Sequence, residues 1–155
     1  VNTEQILKLG SKKLLGTVPK PGEKILYTSY NPARSLDPEW GYHVQGLNEN
    51  LFNSRKRARV MNFDFDLTLV DLAELWIAQR GLCSLTGKEL AWEAGTTEQR
   101  NPFRASIDRI DNQQGYVKSN IRLVCHWANN ARSTYSDEFF YAMCASSTVT
   151  NRLTQ

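Results

Sequence analysis

The clearest periodic stretch in the chain is FDLTLVDLAELWIAQRG, where Leu69, Leu72, Ala73 and Trp76 recur at helical spacing and polar residues fill the intervening positions. Thr68 stands where an N-cap belongs, Asp71 follows three residues later as in a capping box, and Gly81 sits where a C-terminal glycine is favoured. This pattern predicts an amphipathic helix with one stripe turned to a core. Further on, SIDRIDNQQGYVKSNIRLVC changes to the period of a strand, with Ile107 on one side and Asp108 on the other. It predicts two strands around a polar turn. Gly115 is expected to supply a positive φ there, and Asn120 to bond backbone groups across the loop. HWANNARS and SDEFFYAMCASS then read as helix, with Ser136 capping the second part and Asp137 and Glu138 suiting its first turn.

Outside this region the pattern weakens. TVPKPGEK, NPARSLDPEWGYH and GLNENLF are punctuated by Pro, Gly and Asn, so residues 1–53 read as an irregular arm or wrapping segment, with a short helix within Thr3 to Leu15. EAGTTEQRNPFR reads as an exposed loop. The domain proper is expected over residues 54–147 and a fraying tail over 148–155. The predicted class is α+β, a hairpin and helix preceded by an amphipathic helix.

A chain of 155 residues suits one core of ordinary size. No apolar run approaches the length of a membrane span, and VNTEQILKLG lacks the pattern of a secretory signal. Cys83, Cys125 and Cys144 form an odd, scattered set, which argues against a disulfide framework and for a reducing, cytoplasmic setting. A net charge of +3 names no polyanionic partner, but SRKRARV gathers Arg55, Lys56, Arg57 and Arg59 at a density that suits phosphate contact and equally an ordinary solvated helix end. Trp76, Trp92 and Trp127 read as packing aromatics without a recognition role.

On the helix after the hairpin, His126, Asn129 and Asn130 fall on one face, which is expected to look back on the end of the first strand. The carboxylate of Asp108 and the amide oxygen of Asn129 are hard donors of the kind Mg²⁺ accepts while keeping waters for a substrate phosphate. That pairing points to a phosphodiester site.

CSLTG followed by SIDRID, GY and SNIRLVCHWANNARS resembles the HNH nucleases, a superfamily with a ββα-metal fold, and within it phage-type members with a DRID, GY and N core. The similarity extends over roughly residues 54–140. The resemblance implies that Asp108 and Asn129 are metal ligands for Mg²⁺ or Mn²⁺, that Asn120 braces the hairpin loop, and that Arg132 is the basic residue that follows. Arg109 occupies the position of the family's general-base histidine, and a guanidinium that stays protonated cannot accept a proton from water. His126 is then the first candidate base, ahead of Tyr116 and His43. Where relatives hold zinc with two CxxC pairs, this chain has Cys83 with Thr86 and Cys125 with Ala128, so no structural zinc is expected.

The resemblance therefore implies a metal-dependent DNA endonuclease acting on double-stranded DNA, with Arg55, Lys56, Arg57, Arg59, Arg109 and Arg132 on phosphates. The alternative is a catalytically inactive module of the same fold that binds nucleic acid or protein.

Overall fold

A computed structural model describes residues 38–92 and 100–153. Its regular elements are α1 (Pro38–Met61), α2 (Leu69–Ala78), β1 (Ala105–Arg109), β2 (Ile121–Cys125), α3 (His126–Arg132) and α4 (Asp137–Leu153). The class is α+β, and the hairpin runs directly into a helix. Residues 1–37, with the helix expected near the N-terminus, lie outside the described residues, as does the 93–99 part of the expected loop. Among the described residues no helix is long and apolar enough to cross a membrane.

The irregular arm reads differently in the structure. Residues 38–53 are helical, so the expected boundary at residue 53 falls inside α1. Glycine and asparagine that look like loop punctuation are recruited to packing here. Leu47 and Ala58 are buried in the core, a side chain on Gly46 would collide with the Trp92 ring, and Asn50 donates to the Gly46 and Ala105 carbonyls. Helix propensity is a weak prior that such tertiary contacts override. At the other end, α4 continues to Leu153, through most of the stretch expected to fray.

The α2 stripe is as its pattern requires. Leu72, Ala73 and Trp76 are buried, Leu69 packs beside them, and the Thr68–Asp71 capping box closes the N-terminus in both directions. Gly81 takes φ of 69° just after the helix, a left-handed value that costs glycine least.

The strands pair antiparallel, with Ala105 opposite Cys125 and Asp108 opposite Arg122. Helices α1 and α2 cover one face of this ribbon, where Ile107 and Leu123 join Leu47, Leu72 and Trp76. The other face lies under α3 and α4, where Val124, Ala128 and Phe140 form a second cluster with Cys83 and Cys125. Every residue of β2 is buried, which explains its nearly unbroken apolar run.

The turn differs from expectation in one respect. Gly115 is not among the residues with positive φ; it is required because a Cβ there would strike the backbone of Asp64. Tyr116, next in sequence, donates its N–H to the Asp64 carbonyl at 2.8 Å and bridges to Phe65. The segment between α1 and α2 is thereby laced onto the hairpin.

Candidate functional site

Helix α3 starts at the end of β2 and runs back beside β1, so its residues meet β1 in order. Asn129 donates to the Ser106 hydroxyl at 2.8 Å, and Arg132, one turn on, reaches Asp108. Ser106 and Asp108 share a strand face because side chains alternate. The expected convergence of strand and helix is present, but its chemistry is ionic.

Asp108 is only 3% exposed. Its Oδ2 accepts from Arg122 Nε at 2.8 Å and its Oδ1 from Arg132 Nη1 at 3.1 Å. Both guanidinium groups also donate to Asp137, in the first turn of α4, Arg122 at 2.5 and 2.6 Å and Arg132 at 2.7 Å. The four side chains close a ring of two acids and two bases. Arg132 adds bonds to the Arg109 and Ile110 carbonyls, at 3.3 and 2.7 Å. Among the described residues no buried side-chain polar atom lacks a partner.

This arrangement does not fit the expected metal. Both carboxylate oxygens of Asp108 are held by cations, and a divalent ion there would stand beside two buried guanidinium groups. Asn129 gives its amide NH₂ to the Ser106 hydroxyl, on the same strand face as Asp108. Arg132, expected on phosphate, is 2% exposed and bonded through all three nitrogens.

Arg109 points to the opposite strand face. Its guanidinium carbon lies 4.2 Å from the centre of the Phe63 ring and 5.3 Å from that of Tyr116, and Nη1 donates to the Asn112 and Gln114 carbonyls at 3.1 and 2.9 Å. It makes no ion pair with Asp108, whose partners are Arg122 and Arg132. Asn120 is the brace its position implies: its amide oxygen accepts from the Asp111 N–H, and its NH₂ donates to the Asp111 and Gly115 carbonyls. Tyr116 is buried beneath Arg109.

His126, the first candidate base, is at the wrong end of the ribbon. Its backbone N–H donates to the Arg104 carbonyl, four residues before Asp108, which places it about 13 Å along the strand from that carboxylate. Partial burial and the charges of Arg100 and Arg104 hold its pKa below the usual imidazole value, and a ring nitrogen bonds Asn130 at 3.0 Å. The side chain of His43 lies outside the described residues.

Comparison with family models, with curated proteins and with solved structures finds no match to this chain. The site is therefore read from its own chemistry.

Of the α1 cations, Lys56, Arg57 and Arg59 are exposed, while Arg55 is half-buried with its guanidinium 5.1 Å from the Phe65 ring centre. Cys83 and Cys125 lie together, the Cys125 N–H donating to Cys83 Sγ at 3.2 Å. Burial, with Cys83 alongside, pushes the Cys125 thiol up.

Two members of the ring, Arg122 and Asp137, escape a reading built on motifs. An arginine inside an otherwise apolar strand, directly opposite Asp108 in the hairpin register, is the signal that reveals the first. Asp137 has no such signal, because a helix-capping acid looks the same whether or not it reaches a distant base.

Arg122, and then Arg132, hold the Asp137 carboxyl down at about 2, below its ordinary 3.8. A depressed acid contributes stability that is fully present above its unfolded pKa and is lost as pH falls toward the folded value. The midpoint of urea unfolding is expected to fall between about pH 4 and pH 2, and Asp137→Asn to flatten that limb. An unchanged limb in the variant would show that the ring does not couple to folding.

Proposed function

We propose that this chain is an HNH-like nucleic-acid-binding module in which the motif carboxylate ties the fold together instead of holding a metal. One observation carries the reading: both oxygens of buried Asp108 are bonded to the guanidinium groups of Arg122 and Arg132. The candidate base positions agree with it, since Arg109 is occupied in the turn and His126 lies away from Asp108. Nucleic acid is the partner favoured by Lys56, Arg57 and Arg59, exposed on the last turns of α1 with no acidic side chain among the described residues paired to them. The reduced thiols Cys83 and Cys125 suit an intracellular setting.

A second reading, a divalent-metal-dependent endonuclease cutting DNA, has one observation in its favour. Ser106, bonded to Asn129, and Asp108 lie on the same strand face beside α3, which keeps Asn129 near the strand that carries Asp108. That reading needs Asp108 released from two arginines.

One set of measurements separates them. Duplex DNA binding followed across salt concentration is expected for the wild type, with the slope of log affinity against log salt reduced by up to about 3 when Lys56, Arg57 and Arg59 are all changed to Gln. Supercoiled plasmid incubated with Mg²⁺ or Mn²⁺ is expected to remain intact. Nicking that disappears in Asn129→Ala establishes the endonuclease and overturns the first reading.

A further inference from the structure

At the end of β1 away from Asp108, two segments that look unrelated in sequence are fastened together. The Trp127 N–H donates to the Pro102 carbonyl at 2.9 Å, and the His126 N–H to the Arg104 carbonyl at 2.8 Å. Phe103 lies between those two acceptors. Its own N–H is held by the Asn101 side chain at 3.0 Å, and its carbonyl accepts from Ala91. The loop is thus pinned from both sides.

The side chains it presents form a pattern that is absent from the linear sequence. Phe103 is 47% exposed and Trp127 51%, large apolar surfaces for anchored residues. Trp127 rests against Phe140 in an edge contact, with ring centres 6.3 Å apart, which fixes the indole without covering it. The same segments carry Arg100, exposed, Arg104, which reaches Glu49 on α1 at 2.7 Å, and His126, close enough to both arginines to feel their charge. Aromatic faces interleaved with cations on a rigid support are the arrangement on which unpaired bases stack while phosphates are neutralised.

From this placement we infer that Arg100, Phe103, Arg104, His126 and Trp127 form a stacking platform for a single-stranded stretch of nucleic acid. The inference rests on the nucleic-acid reading above and adds the strand state. A protein partner is disfavoured by the flanking cations, because desolvating them against an apolar surface is costly, whereas a sugar-phosphate chain complements them. The basic turns of α1 adjoin the other end of β1, where Phe63 and Phe65 meet Arg109 and Tyr116. The five residues of β1 span about 16 Å, so the two surfaces engage separate parts of one bound molecule.

The test uses the full chain, a labelled oligothymidylate and a labelled duplex of mixed sequence, with affinity read by fluorescence anisotropy. Phe103→Ala and Trp127→Ala are each expected to weaken oligothymidylate binding roughly ten-fold with little change for the duplex, and Trp127→Phe to restore most of the loss. Arg100→Gln is expected to reduce the single-strand salt slope by about 0.7. Unchanged oligothymidylate affinity in both alanine variants, or equal weakening on both probes, overturns the platform while leaving the module reading standing. Absence of binding to either probe by the wild type overturns both.

Discussion

Asp108→Ala is expected to lower the free energy of unfolding by about 3–5 kcal/mol. The loss comes less from the attraction removed than from what remains, since Arg132 stays buried with one carboxylate to share with Arg122 instead of two. Urea unfolding checks the magnitude, and a cost below about 1 kcal/mol would place the ring among solvated surface pairs. Replacing Asp108, Arg122, Arg132 and Asp137 together by apolar residues of similar volume is expected to cost much less than the single change, as is common for buried ion clusters. Asp108→Asn keeps the volume and one acceptor but removes the charge, and is expected to fall between wild type and alanine. The result bears on function. A nuclease assay on Asp108→Ala alone reads stability as well as chemistry, which is why the proposed plasmid test relies on Asn129→Ala, where one hydrogen bond to Ser106 is at stake.

Arg109→Ala is expected to cost about 2–3 kcal/mol, the sum of two charge-assisted hydrogen bonds and the attraction of a cation to two rings, reduced by their overlap. The acceptors are turn carbonyls, Asn112 and Gln114, so the effect should be local as well as global. Hydrogen exchange at the amides of residues 111–116 is expected to speed up more than at β2. Arg109→Lys should recover little, because an ammonium lacks the flat face that sits against Phe63 and the spread of donors that serves both carbonyls. A lysine variant as stable as the wild type would show that charge alone matters here.

These two residues also show how strand geometry separates what the motif joins. Residues Asp108 and Arg109 are adjacent in sequence, and adjacency in a strand sends them to opposite faces. One joins α3 and α4 in an ionic ring, and the other closes the turn against Phe63, from the segment after α1, and Tyr116 of the hairpin. Asp108 lies on the hairpin, Asn129 on the helix that follows it, and Asn120 braces the loop through three hydrogen bonds. The expected pairing of Asp108 with Asn129 carries no information on Arg122 or Asp137: Arg122 and Arg132 hold the Asp108 carboxylate directly, and Asp137 holds both arginines.

Local chemistry by itself determined the capping box and buried stripe of α2, the glycine after it, the alternation of the hairpin, and the helix that follows. These depend on neighbours within a few residues, and hydrogen bonds and side-chain periodicity at that range are written directly in the chain. Tertiary structure alone decided that residues 38–53 are helical, because burial of Leu47 and Ala58 and the seat for Trp92 at Gly46 outweigh glycine and asparagine that favour loop. It alone decided that Asp108 is held by two arginines, and that the loop carrying Phe103 is tied to the start of α3 through the Trp127 N–H and the Pro102 carbonyl, more than twenty residues apart in sequence. Partners that distant meet only once the chain has folded, and the charge and accessibility of a side chain are properties of that meeting.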